Sequence, residues 1–266
     1  MEQHTTIAIQ AALRAGDILR EHSGKVKEIE FKDEVNLVTE VDRLSEESII
    51  QTITGKFPDH GILTEEGGVK ESPSEYNWVI DPLDGTTNYA HDFPIYCVSI
   101  ALQKGQQSIL GVVYNPNLDE LFVAEKGNGA FLYKGREFDK TRRKISVSQT
   151  ADLSRSLLAT GFPYDIRTSD INNLNHFTNF YKRAQAIRRA GSAAMDLCYL
   201  AMGRFDGFWE LKLSPWDTAA GSLLVTEAGG KVTDFSGGPF DMYMKEILAS
   251  NGRIHQQMMD ILKPEY

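Results

Sequence analysis

The sequence predicts a layered α/β protein in which helices pack on mixed β-sheets, and three observations predict it. Residues 5 to 22 and 42 to 53 carry apolar side chains at helical spacing. Residues 96 to 133 alternate and turn like a run of short strands. Beyond residue 156 the strand and helix signals mix, and no Pro-, Gly- or Ser-rich linker, repeat or low-complexity tract divides the chain. Residues 1–266 therefore read as one domain.

In order, Ile7, Ala11, Ala15, Ile18 and Leu19 set the first helix, and Leu44, Ile49, Ile50 and Ile53 the second. Between them, Gly24 to Thr39 is rich in Lys and Glu and passes through Asn36-Leu-Val-Thr39, the pattern of a solvated hairpin or flap. Gly61-Ile-Leu reads as a strand running into Thr64-Glu65-Glu66-Gly67-Gly68. Trp78-Val-Ile80 reads as a buried strand from which the chain turns through Asp81-Pro82 and Asp84-Gly85, after which Thr86-Thr-Asn88 opens a helix. Strands are expected at 97–102, 108–114, 120–124 and 130–133, punctuated by Asn115-Pro116 and Gly127-Asn-Gly129. The remainder reads as a strand at 156–160, a helix at 171–181, a strand at 186–189 and a helix at 192–202 ending at Gly203. A helix at 215–227 and short strands at 231–233 and 247–249 complete the reading.

Composition sets limits on function. A chain of 266 residues, 41% hydrophobic and 24% charged, buries roughly three quarters of its unfolded surface without staples. Cys97 and Cys198 sit in apolar stretches and read as buried thiols in a reducing compartment. The first residues carry no basic region before an apolar run, and no eighteen apolar residues stand together, so neither secretion nor a membrane span is expected and the location reads as cytoplasmic. A formal charge of −9 argues against nucleic acid as the main partner.

Several chemistries fail on inventory. There is no G-x-x-x-x-G-K-[ST] phosphate loop, and the Gly127-x-Gly129 pair lacks the third glycine of a dinucleotide fingerprint. The six histidines are scattered with no H-x-x-x-H pair, so a histidine-bound zinc is not indicated. What stands out instead is oxygen chemistry. Asp81 and Asp84 leave one strand end with the Leu83 carbonyl between them, Gly85 permits close backbone approach, and the helix start at Thr86 favours a phosphate. Each piece has a plainer reading: an ordinary turn for D-x-x-D-G-T, surface acids for Glu65 and Glu66, and a capping box at Ser214-Pro215-x-Asp217. Capping and metal binding by Asp217 are compatible. Carboxylate and carbonyl donors suit a hard cation such as magnesium.

Taken together and in order, Glu65-Glu66, Asp81-Pro-Leu-Asp-Gly-Thr86, Trp216-Asp217-x-Ala-x-Gly221 and Glu227-Ala-Gly-Gly230 resemble the inositol monophosphatase family of metal-dependent, lithium-sensitive phosphatases. Gly191-Ser-Ala-Ala-Met-Asp-Leu-Cys198 and Gly203-Arg-Phe-Asp-Gly-Phe-Trp-Glu210 resemble the substrate-side segments of its bacterial members. The resemblance implies alternating layers in the order αβαβα, a homodimer, and a magnesium-dependent phosphomonoesterase with inositol monophosphate as substrate. Two to three Mg2+ per chain are implied, and three of them balance a phosphate dianion together with Glu65, Asp81, Asp84 and Asp217.

In the mechanism this suggests, one magnesium at Glu65, Asp81 and the Leu83 carbonyl lowers the pKa of the attacking water, and a second at Asp81, Asp84 and Asp217 stabilises the leaving oxygen. Glu65 and Thr86 orient or deprotonate the water, Asp42 positions the Thr86 hydroxyl, and Glu66 acts from behind. Lys32 reaches the third metal or the phosphate from the flap. Substrate contacts are expected at Asp84, Gly85, Thr86, Gly191, Ser192, Ala193, Glu210 and Asp217, with Glu210 accepting from hydroxyls of the leaving polyol. For Glu210 the plainer reading is a surface acid at a strand end. Two alternatives stay open: a broader sugar-phosphate or nucleotide phosphatase (fructose 1,6-bisphosphate, NADP or adenosine 3',5'-bisphosphate), and a non-catalytic binding protein on the same fold.

Overall fold

Both expected N-terminal helices form, as α1 (Glu2–His22) and α2 (Glu40–Thr54), in a computed structural model that describes residues 1–24, 29–31, 37–135 and 141–263. Between them β1 (Ile29–Phe31) pairs antiparallel with β2 (Leu37–Thr39), the hairpin that the flap sequence suggested. Lys32 lies outside the described residues.

An eight-stranded mixed sheet follows. Its members are β3 (Gly61–Thr64), β4 (Gly68–Lys70), β5 (Tyr76–Asp84), β6 (Cys97–Lys104), β7 (Gln107–Asn115), β8 (Glu120–Glu125), β9 (Gly129–Lys134) and β10 (Arg143–Lys144). Their spatial order is 10-9-8-7-6-5-3-4. Strands β6 to β9 form the expected antiparallel meander, and β3 runs parallel to β5. A second, five-stranded sheet has the order 12-11-13-15-14, from β11 (Leu157–Thr160), β12 (Ala186–Arg188), β13 (Gly207–Leu211), β14 (Lys231–Thr233) and β15 (Glu246–Ser250). Five more α-helices follow among the described residues, α3 (Thr86–Ala90), α4 (Leu174–Tyr181), α5 (Ala193–Ala201), α6 (Pro215–Glu227) and α7 (His255–Leu262), with a short 3-10 turn at Leu153–Arg155.

The layers follow from strands that are apolar on both faces. Trp78, Ile80, Val98 and Ile100 face α1 and α2, while their neighbours Val79, Cys97 and Ala101 face α5 and α6. The five-stranded sheet repeats the device, with Ala159, Phe208 and Ala249 toward α5 and α6 and with Leu158, Trp209 and Leu248 toward α4 and α7. The result is the αβαβα order. Cys97 and Cys198 are both buried and unbridged, as read. Among the described residues no helix is long and apolar enough to cross a membrane.

Two of the differences from the sequence reading have clear physical reasons. The chain does not turn at Asp81-Pro82: β5 continues through Asp84, pairing Asp81 with Ser99 and Asp84 with Cys97 across a register shift. The bulge absorbs Pro82, which lacks a donor, and the Ser45 hydroxyl satisfies its carbonyl at 2.8 Å. Helix α4 begins at Leu174 rather than Ile171, because side chains of Ser169 and Asn172 bond the backbone of the preceding turn.

Candidate active site

The ends of several elements meet at one cavity of about 750 Å3. Glu65 arrives from the turn after β3, Asp81, Leu83 and Asp84 from the bulged end of β5, and Gly85 and Thr86 from the start of α3. Gly191, Ser192 and Ala193 come from the start of α5, Glu210 from β13 and Asp217 from the first turn of α6. The structure therefore brings together, around a single space, eleven positions scattered through the sequence.

Local chemistry fixes each of them. Oδ1 of Asp81 accepts the Leu83 N–H at 3.0 Å, an Asx-type turn that sets the bulge. Gly85 adopts φ 99°, and a Cβ there would stand 3.0 Å from the Ile95 carbonyl and 3.3 Å from that of Gly191, so only glycine fits the junction. The Thr86 hydroxyl lies 3.2 Å from Oδ1 of the fully buried Asp42 and 3.1 Å from the Leu83 carbonyl. With one proton it serves one acceptor at a time. Oδ2 of Asp84 accepts from the Ser192 hydroxyl at 2.8 Å and the Ala194 N–H at 2.7 Å, tying β5 to the N-terminus of α5. Asp217 accepts the Ser214 N–H at 2.7 Å, so it caps α6 and lines the cavity at once. The positive ends of α5 and α6 both open on this space, a favourable place for an anion.

Electrostatically the site is a strained cluster of acids. Burial first, then the charges of Glu65, Asp84 and Asp217, push the Asp81 carboxyl well above its usual range, against the Leu83 N–H bond. Burial likewise raises Asp84 to about 6 in spite of its donors, and raises Asp217, with Asp84 as the next cause. Glu210 is raised by burial and then by Asp217 and Asp84, with Arg189 opposing. Among the described residues no three of these groups close to metal-ligand spacing. Instead they stand around the cavity, as their mutual repulsion favours.

Not every residue singled out in the sequence joins this group. Glu66 does not line the cavity; its N–H donates to Glu46 Oε2 at 3.0 Å. Glu210 is no surface acid, being 8% exposed. Sequence reasoning missed Gly161, Tyr164, Arg167 and Asp196, all of which line the cavity. Asp196 was legible in principle: it is the one acid in a helix that is otherwise apolar all round, and its Oδ1 is buried without a hydrogen-bond partner. The other three stand in irregular backbone after β11, where no pattern marks them.

The sequence matches the inositol monophosphatase family over residues 1–264. It is 46% identical over 259 residues to a Synechocystis inositol-1-monophosphatase, covering 96% of this chain and 87% of that one. With the Aquifex aeolicus fructose-1,6-bisphosphatase/inositol-1-monophosphatase it shares 40% over 265 residues, 99% and 96% of the two chains. The solved inositol monophosphatase of Anabaena superposes with a TM-score of 0.88 at 43% identity, covering 98% of this chain and 95% of that chain.

Proposed function

The chain belongs to the inositol monophosphatase family, and from that premise and the geometry above we propose that it is a magnesium-dependent phosphomonoesterase releasing inositol and phosphate from inositol monophosphate. One observation carries the proposal: Glu65, Asp81, Asp84 and Asp217 face a common cavity together with a Thr86 hydroxyl held against Asp42.

The donors are all hard oxygens, and their mutual repulsion calls for a compensating cation, so their chemistry, though not their present spacing, fits magnesium. Glu65, Asp81 and the Leu83 carbonyl would hold one ion and Asp81, Asp84 and Asp217 a second, with a third completing the charge balance. When bound, the metal supplies Lewis-acid activation of water and neutralises charge on the phosphoryl group. The chain's own groups do the rest. Asp42 accepts the Thr86 hydroxyl's hydrogen bond, which turns the Thr86 lone pairs toward the attacking water; Glu65 accepts that water's proton as its oxygen bonds to phosphorus in line, the ester P–O bond breaks, and solvent protonates the leaving oxygen. The helix ends at Ser192 and Ser214 favour the phosphoryl anion. Glu210 accepts hydrogen bonds from the other hydroxyls of the polyol.

Arg167 and Arg189, which line the same cavity, favour a second reading in which a doubly phosphorylated sugar or a nucleotide is also accepted. Phosphate release from a panel of such monoesters, with and without magnesium, tests both. Selective, metal-dependent turnover of inositol phosphates supports the first, and no turnover of any monoester would leave a binding protein on this fold. A homodimer is also proposed, on resemblance and on the half-exposed Phe93; sedimentation at micromolar concentration showing one chain's mass would dismiss it.

A further inference from the structure

Glu210 is held in an unusual way. Its carboxylate accepts no hydrogen bond among the described residues, yet it is 8% exposed and faces the like charges of Asp217 and Asp84. Beside the attraction of Arg189, shape fixes it. The side chain lies on the bare backbone of Gly161 at the end of β11, where an added Cβ would come closer than 3.0 Å to both carboxylate oxygens.

Gly161 cannot retreat to make room. The Asn173 amide donates to the Gly161 carbonyl at 2.6 Å and to the Thr160 hydroxyl at 2.7 Å, and its oxygen accepts the Trp209 indole N–H at 2.7 Å. The Thr160 hydroxyl in turn donates to the Trp209 carbonyl at 2.5 Å. This buried and fully engaged network locks the end of β11 to β13 one residue before Glu210. Asn173 is wholly buried, and so is Thr160.

We infer that Gly161 is a specificity-determining position. By offering no side chain it seats the Glu210 carboxylate at the leaving-group end of the cavity, and the Asn173 network makes that seat rigid. The inference rests on the proposed role of Glu210 toward a polyol leaving group. Gly161 is not in the left-handed region, so alanine suits its backbone. The atoms its methyl would meet belong to the mobile end of a glutamate, so the fold tolerates the methyl and the carboxylate gives way.

The test compares Gly161→Ala, Glu210→Gln, Glu210→Asp and the double variant Gly161→Ala/Glu210→Asp on inositol 1-phosphate and p-nitrophenyl phosphate, with thermal unfolding of each. Gly161→Ala should fold and lose about tenfold to a hundredfold in kcat/KM on inositol 1-phosphate, like Glu210→Gln, while p-nitrophenyl phosphate changes less than about threefold. The double variant should lose less than the product of its two single losses, because the shorter Asp leaves room for the methyl. Equal losses on both substrates, full activity of Gly161→Ala, strict additivity, or failure of Gly161→Ala to fold would each overturn the inference. A wild-type protein that does not turn over inositol 1-phosphate would instead overturn the reading beneath it, and the inference with it.

Discussion

The Thr86 hydroxyl stands 3.2 Å from Oδ1 of Asp42, a buried acid contributed by the first turn of α2. Forty-four positions apart in the chain, the two residues form a hydroxyl–carboxylate pair beside the acids of β5. Thr86→Val keeps the shape and deletes the hydroxyl. It should lower kcat by about a hundredfold or more with the magnesium requirement little changed. It also leaves an Asp42 oxygen without this bond, so a destabilisation of about 1–3 kcal/mol should accompany it. Thr86→Ser should restore most of both. Normal turnover of the valine variant would reduce Thr86 to a helix residue.

Asp217 caps α6 and is a proposed ligand of a cation, and one substitution can separate the two. In Asp217→Asn the amide oxygen still accepts the Ser214 N–H, so α6 keeps its cap and the metal-free unfolding temperature should hold or rise as repulsion with Asp84 falls. The charge offered to a cation is lost. The magnesium concentration for half-maximal activity should therefore rise, and the stabilisation of the folded protein by added magnesium should shrink. An unaltered magnesium dependence in both readouts would take Asp217 off the ligand list.

Much of this was legible in the sequence, and the exceptions have physical causes. Helix α1 and the β6–β9 meander follow from local periodicity, because each buries one repeating face or alternates against a partner. The end of β5 was misread because Asp81-Pro82 is a strong local turn signal, overridden by pairing with β6 and by Ser45, which comes from another element. Glu65, Asp81, Asp84 and Asp217 could be picked out because chemistry concentrates acids beside glycines and helix starts. Gly161 and Asn173 could not: their roles are defined by a carboxylate and an indole some fifty and thirty-six residues away. No short-range pattern encodes that.

His255, which does not line the cavity, should make stability pH-dependent. Buried, and repelled by Lys231, its ring is pushed down from 6.5 to about 4, and its nitrogens bond the hydroxyls of Thr233 at 2.9 Å and Ser250 at 2.8 Å. The folded state thus prefers the neutral ring. Its contribution is complete above the unfolded value of 6.5 and is lost as pH falls from there through about 4. Its size is on the order of 2 kcal/mol after allowance for screening. Denaturant unfolding across this range should show a stability loss that His255→Gln removes; an identical slope in the two proteins would assign the loss to other groups.

Glu210→Gln is the variant that most directly ties the cavity to its substrate. Glutamine keeps the volume that rests on Gly161, so the packing at the end of β11 survives. It removes a negative charge that burial and the neighbouring Asp217 and Asp84 oppose, so the metal-free protein should become more stable. Function should move the other way. A carboxylate accepts hydroxyl protons with charge-assisted bonds, whereas an amide oxygen accepts them more weakly and its NH2 meets the same hydroxyls as a competing donor. Loss of one or two such bonds should reduce kcat/KM for inositol monophosphate by about tenfold to a hundredfold. A leaving group without a polyol, as in p-nitrophenyl phosphate, should scarcely register the change. Stability and specificity would then part in opposite directions in a single variant, a pattern that neither a general packing defect nor a bystander residue produces. A loss shared equally by both substrates would place Glu210 in the chemistry common to all monoesters, and no loss on either would remove it from the site.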